Sequence, residues 1–133
     1  MNVFETERIV KLEDLDELKH VNNVRYVQWI QDISKTHWET VVPEEIRKEM
    51  IWVVRRHDIT YKGSALLGDK LLLRTHIARN EGFISSRVVE MRIKESGKLI
   101  LKSQTDWCLL NKESGKPMTI SPEIHTLFET PSP

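Results

Sequence analysis

The run Asp14-Leu15-Asp16-Glu17-Leu18-Lys19-His20-Val21-Asn22-Asn23-Val24-Arg25-Tyr26-Val27-Gln28-Trp29 packs acids, an imidazole and two side-chain amides into the approach to a strongly apolar segment. Asn22 and Asn23 are each good N-caps, because a side-chain oxygen there accepts from the free N–H groups of a first helical turn. A helix therefore begins here, and its unpaired N–H groups and dipole favour negative charge beside them. Acids, a histidine and oriented donors in one place are the equipment for stabilising an oxyanion next to an acid or base.

Beyond Asn23, the residues Val24, Tyr26, Val27, Trp29, Ile30, Ile33 and Trp38 cover most of a helix circumference, while Arg25, Gln28, Asp32, Lys35 and Glu39 leave one polar stripe. Such a helix is expected to be largely enclosed. Pro43 disfavours helical geometry at Val42, so the helix stops near there, and Pro43 itself opens a short second helix through Glu49. On the other side of the run, Val3 to Leu12 predicts a first strand ending near Lys11, followed by an acidic loop from Glu13 to Glu17.

After the helices the period changes to two. Ile51 to Tyr61, Asp69 to Ala78, Phe83 to Lys94 and Lys98 to Leu110 read as strands, separated by Gly63, Gly68, Asn80-Glu81-Gly82 and Ser96-Gly97. The last three predict an antiparallel meander. In the final strand strict alternation puts Leu99, Leu101, Ser103, Thr105, Trp107 and Leu109 on one face. A short helix from Pro122 to Phe128 closes the pattern, and the tail Thr130-Pro131-Ser132-Pro133 is expected to fray. One strand, a long apolar helix and four more strands make an α+β domain whose antiparallel sheet covers a helix on several sides. Periodicity alone leaves the topology open.

Length and composition narrow the classes. The 133 residues, 39% hydrophobic and 30% charged, suit one compact domain spanning 1–133. Twenty basic and twenty acidic side chains cancel, so no global field draws the chain to nucleic acid or to an anionic membrane. The single cysteine, Cys108, excludes an intramolecular disulfide, suits a reducing compartment, and reads as a small apolar filler. The first residues contain no basic segment followed by an apolar core, and no apolar run approaches the ~20 residues that span a bilayer. A cytoplasmic protein is the expectation. His37, His57, His76 and His125 lack metal-ligand spacing, and neither GxGxxG nor a phosphate-cradling loop is present, so neither a metal nor a cofactor is expected.

The pattern Asp-x-Asp-x-x-x-His-Val-Asn-Asn-x-x-Tyr-x-x-Trp resembles the signature of hotdog-fold thioesterases, the group of 4-hydroxybenzoyl-CoA thioesterase and the acyl-ACP thioesterases. Asp14-Leu15-Asp16 and His20 to Tyr26 follow the acyl-ACP branch almost residue for residue, and Lys102 to Leu110 with Ser114-Gly115-Lys116-Pro117 is similar to its last long strand and turn. The resemblance implies a hotdog fold: a curved antiparallel sheet of about five strands wrapped round one long central helix. It also implies a homodimer with paired edge strands, or a homotetramer, and hydrolysis of an acyl-ACP or acyl-CoA thioester to acid and thiol.

By the same resemblance Asp16, the second acid of the pair, is the catalytic carboxylate, as general base on water or as nucleophile forming a mixed anhydride. A loop acid bonding nearby backbone N–H groups is the alternative role. His20 is the candidate to orient the carboxylate or share in proton transfer, and a histidine serving loop carbonyls is the equal alternative. Asn22 and Asn23 are candidates to contact substrate, with helix capping the competing role for at least one. The plant branch has asparagine two residues after the catalytic aspartate, where this chain has Leu18, and a Glu-Cys pair in the region of Tyr61-Lys62-Gly63-Ser64-Ala65, where neither acid nor thiol occurs. Those departures point to a simpler, aspartate-centred site. N–H groups near Val21 to Val24 are expected to polarise the carbonyl. Ser103 and Thr105 would narrow the floor of an acyl tunnel. Tyr61 lies in the substrate region, and Arg55, Arg56, Lys62 and Arg87 are candidates for the phosphates of the thiol carrier, a solvated strand surface explaining them equally well. A hydratase or dehydratase of acyl thioesters and a non-catalytic acyl-carrier binding module are the rival readings, since fold alone does not exclude them.

Overall fold

The computed structural model describes residues 1–131, so the expected fraying of Ser132 and Pro133 lies outside the described residues. Strand β1 (Val3–Ile9) leads through a single 3-10 turn at Leu12–Asp14 to helix α1 (Asn23–Val41). Asn22 is the N-cap, its Oδ1 accepting from the Val24 N–H at 2.9 Å. The helix ends where Pro43 requires it: Val42 is extended at φ −99° and ψ 123°. Helix α2 is shorter than expected, Glu44–Arg47. Then come β2 (Met50–Tyr61), β3 (Lys70–Glu81), β4 (Ile84–Ile93), β5 (Leu99–Asn111) and helix α3 (Pro122–Glu129).

The strands form one antiparallel sheet in the order β1-β3-β4-β5-β2, with β3, β4 and β5 as the meander and β1 and β2 at the edges. Gly82 and Gly97 turn the two hairpins at φ +62° and +74°, a backbone region that a side chain resists. Register shifts after Val54, Ile77 and Met91 leave Arg55, Ala78 and Ile100 as extra residues. Such bulges bend and twist a sheet, which lets this one curl over α1. The last shift corrects the strict alternation expected of β5: neighbours Ile100 and Leu101 are both buried. The bulge at Ala78 likewise masks the continuation of β3 to Glu81, because the period of two slips there.

Helix α1 buries Tyr26, Trp29, Ile30, Ile33, Ser34 and His37, a line at helical spacing that faces the sheet. The helix is less enclosed than expected. Val24 is 70% exposed, because the sheet of this one chain reaches only one side of the helix. The core splits along the helix axis. Toward its start, Tyr26, Trp29, Ile30 and Ile33 pack with Leu71, Leu73, Val89, Met91 and Leu101. Toward its end, Val42, Leu109, Ile120, Ile124 and Phe128 form a second cluster closed by α3. Each large apolar side chain so buried contributes ~1.5–3 kcal/mol.

Candidate functional site

The loop before α1 is held by its two aspartates in different ways. Asp14, only 8% exposed, accepts from the Lys11 N–H at 2.9 Å through Oδ2 and faces Arg25 Nε at 3.4 Å through Oδ1, while its carbonyl takes the Asn22 N–H at 2.8 Å. It is the loop's structural acid. Asp16 is exposed. Its Oδ1 accepts from the Leu18 N–H at 2.9 Å and the His20 N–H at 3.1 Å, and its own N–H donates to the His20 carbonyl at 2.8 Å. Among the described residues no donor reaches Oδ2. One carboxylate oxygen is thus anchored by the backbone and the other faces solvent. The turn that achieves this places Lys19 at φ +63°, the sole non-glycine residue with positive φ among those described, at a local cost of ~1–2 kcal/mol.

The helix start contributes one free donor. The Val21 N–H goes to the Ala65 carbonyl at 3.3 Å, that of Asn22 to Asp14, and that of Val24 to its cap. Among the residues expected to polarise a carbonyl, only Asn23 has an N–H with no acceptor among the described residues. Asp16 and Asn22 line one shallow cleft with Leu15, Glu17 and Leu18. His20 is exposed and meets Asp16 through backbone alone; its side chain takes no described hydrogen bond. Asn23 is exposed beside the cleft.

Tyr61 ends β2 close to the helix start, 5.9 Å centroid to centroid from Tyr26, whose hydroxyl accepts from the Ala65 N–H at 3.1 Å. Burial pushes both phenols above their ordinary value. Arg56 and Lys62 are exposed and do not line the Asp16 cleft of this chain; Arg56 lies 3.8 Å from Asp58. Arg55 is exposed at the β2 bulge.

Arg87 departs from its sequence expectation. It lies mid-strand at 4% exposure rather than on a solvated strand end. Its Nη1 donates to His37 Nδ1 at 2.7 Å and to Thr75 Oγ1 at 3.2 Å. His37 is fully buried, stacked on Phe4 at 5.3 Å, and held near pKa 3 by burial and by the Arg87 charge. Ser103 and Thr105 are buried on the same sheet face, Thr105 bonded to His57 Nδ1 at 2.8 Å, while among the described residues His57 Nε2 and Ser103 Oγ have no partner. The burial of Arg87 against His37 escaped sequence reading although a signal existed: Ser85, Arg87, Val89 and Met91 alternate on one face, and His37 continues the line Ile30, Ile33. A charged residue in such a line reads as a surface group until the fold covers it.

Among the described residues no group of three or more His, Cys, Asp and Glu side chains stands where it could hold a metal ion, and no helix is long and apolar enough to cross a membrane.

The fold has many solved counterparts. A probable thioesterase from Escherichia coli, YbaW, superposes with TM-score 0.85 at 19% identity, covering 94% of this chain and 96% of that one. Slr0204, a 1,4-dihydroxy-2-naphthoyl-CoA thioesterase from Synechocystis, superposes at 0.82 and 18% identity, covering 96% of each. The 12:0-ACP thioesterase from Umbellularia californica gives 0.81 at 15% identity, and there 96% of this chain spans 49% of the plant enzyme. At such identities the likeness is one of fold, and it is the hotdog fold that the motif implied. No curated protein matches the chain. Residues 1–128 match the acyl-ACP thioesterase N-terminal domain, and with nearly the whole chain covered the protein belongs to that family of thioester hydrolases.

Proposed function

We propose that Asp16 is the carboxylate that drives hydrolysis of an acyl-ACP or acyl-CoA thioester, in a site that needs no metal or cofactor. The observation that carries this reading is the division of labour within its carboxylate. Oδ1 is fixed by two backbone donors while Oδ2 is free among the described residues. A general base or nucleophile must be both oriented and unengaged, and a purely structural loop acid would use both oxygens, as Asp14 does. Oδ2 takes the proton of an attacking water, or attacks the thioester carbon itself to give a mixed anhydride that water then cleaves. The carbonyl oxygen, gaining charge, is received by the Asn23 N–H at the positive end of α1. His20 assists proton transfer to the leaving thiolate. Asn22 and Asn23 border the thioester, Tyr61 flanks it, and Arg56 and Lys62 meet the phosphates of the carrier arm.

The same reading takes residues 1–133 as one domain acting in the cytoplasm as a homodimer or homotetramer. Support for the assembly is that β2 is a twelve-residue edge strand with Ile51 44% and Val53 38% exposed, an unpaired edge of the kind that pairs with a second copy. The experiment is release of free thiol from a panel of acyl-ACP and acyl-CoA thioesters of graded chain length, with Asp16→Asn alongside. Aspartate-dependent release is expected, and the best substrate names carrier and chain length. Release that persists undiminished in Asp16→Asn removes the assignment.

A further inference from the structure

The second half of α1 lies over a cavity of about 760 Å³, distinct from the Asp16 cleft and walled by the sheet, α2 and α3. Arg87 lines it. The two described acceptors of this guanidinium are both neutral. Asn2 Nδ2 donates to the Thr130 carbonyl at 3.0 Å, which turns Asn2 Oδ1 toward His37 Nε2 at 2.7 Å. That oxygen only accepts, so the histidine proton sits on Nε2, and Nδ1 offers its lone pair to Arg87. Among the described residues no carboxylate stands within ion-pair distance of Arg87, and its Nε and Nη2 take no acceptor. Burial alone lowers its pKa to about 9. A cation held out of water without a counter-charge is costly, and the cost is relieved when an anion arrives.

A second donor waits beside it. Trp107 lines the same cavity, and its Nε1 is buried with no acceptor among the described residues. Trp107 pairs across the sheet with Ser85, two residues along β4 from Arg87, so the donors are diagonal neighbours on one face, about 7–8 Å apart. Asn80, opposite Ser85 on the other side, adds an amide whose Oδ1 is buried and unpartnered among the described residues. The apolar part of the wall is Trp38, Trp52, Ile77 and Phe128, with Trp38 edge-on to Trp52 at 5.4 Å and stacked on Phe128 at 6.1 Å, while the cations Lys48 and Lys112 at its border are exposed. Of the acids that also border the cavity, Asp32 is paired with Arg8 at 3.5 Å and Glu39 with Lys35 at 3.8 Å, and Glu44 is exposed.

We propose that this cavity binds a carboxylate borne on an apolar body, an aromatic or acyl acid, with the carboxylate on Arg87 and Trp107 Nε1 and the body against Trp38, Trp52, Ile77 and Phe128. Arg87 supplies the charge and the unused N–H donors of Nε and Nη2, and an anion there is a charge-assisted acceptor for them. The ligand has two possible sources: a free carboxylic acid, or an acyl thioester carrying a second carboxylate at its far end.

Three of the four tryptophans line the cavity, so their emission reports its occupancy. The intact Asp16→Asn protein is titrated with octanoate, dodecanoate and 2-naphthoate and with their methyl esters, by tryptophan fluorescence and calorimetry. Binding is read without turnover and so does not depend on the role given to Asp16. Saturable binding of at least one acid, with its ester about tenfold or more weaker, is expected. Trp107→Phe, which keeps the ring and removes the donor, is expected to weaken that acid severalfold at unchanged Tm. Arg87→Gln is expected to abolish the preference for acid over ester if it folds, and the ester and Trp107→Phe comparisons decide the matter if it does not. Equal affinity for acid and ester, no binding of any acid at millimolar concentration, or unchanged binding by Trp107→Phe each overturns the site. The sources are separated by adipoyl-CoA and its ω-methyl ester as substrates of the protein with Asp16 intact. A KM that rises with esterification and in Trp107→Phe assigns the site to the acyl group, and an unmoved KM with the acid still bound assigns it to the free acid.

Discussion

The loop before α1 presents Asp16 and His20 to solvent, whereas the C-terminal half of the helix shuts His37 and Arg87 away from water. The exposed end is organised by backbone hydrogen bonds within a few residues of sequence: Leu18 and His20 to Asp16, Lys11 and Asn22 to Asp14. The buried end is organised by contacts between residues 35 and 50 positions apart, from Asn2 to His37 and from His37 to Arg87. The difference is one of solvent. A carboxylate in water keeps its charge at little cost, while a guanidinium out of water depends on the neighbours fixed around it.

The largest expected effect tests the exposed end. Asp16→Asn lowers kcat by ~10²–10⁴-fold with little change in Tm, measured by thiol release and thermal melts, because the amide keeps an oxygen for the Leu18 and His20 N–H groups but loses the base. Equal activity would put the chemistry elsewhere. Its neighbour should behave in the opposite way. Asp14→Ala leaves the Lys11 N–H unpaired and Arg25 without its partner, so ~1–3 kcal/mol of stability is lost in urea unfolding, with a smaller loss of kcat than Asp16→Asn. A stable, inactive Asp14→Ala would reverse the two roles.

The buried end is sharpened by pH. His37 is held near pKa 3 against an ordinary 6.5, so below 6.5 the unfolded chain takes up a proton that the native protein refuses. Stability is therefore full above about pH 6.5 and lost progressively as pH falls toward 3, and His57 and His76, also lowered by burial, act in the same direction. Unfolding midpoints at pH 7, 5 and 4 should decline in that order, and less steeply in His37→Gln; an identical slope in the variant would show that His37 is not the group responsible. Within the same core, Tyr26→Phe removes the acceptor of the buried Ala65 N–H and should cost ~1–2 kcal/mol in urea unfolding. The smallest effect is at the rim. Lys62→Ala should raise KM by ~2–5-fold at low salt, fading at high salt with kcat unchanged, since exposed charges are screened.

The legible parts of the fold were those written in local patterns. Pro43 marked the end of α1 within a residue, and Gly82 and Gly97 marked both hairpins, because each acts through its own dihedral angles. The misread parts were nonlocal. The bulges at Ala78 and Ile100 broke an alternation that looked continuous in sequence, and Val24 looked like core although the fold leaves it 70% exposed. At the candidate site, the two acids before α1 were legible as a motif, but the anchored and free oxygens of Asp16 were not, because they follow from the left-handed turn at Lys19.

The sequence by itself determined the order and type of the elements, the N-cap that starts α1, and the acids placed before it, since propensity, capping and period are properties of neighbouring residues. The tertiary structure alone decided which polar groups leave water. Alternation puts Arg87 and Arg92 on opposite faces of β4, but nothing local says which face is covered: the fold buries the first against His37 and leaves the second half exposed beside Glu90, because burial is set by what the rest of the chain lays across each face.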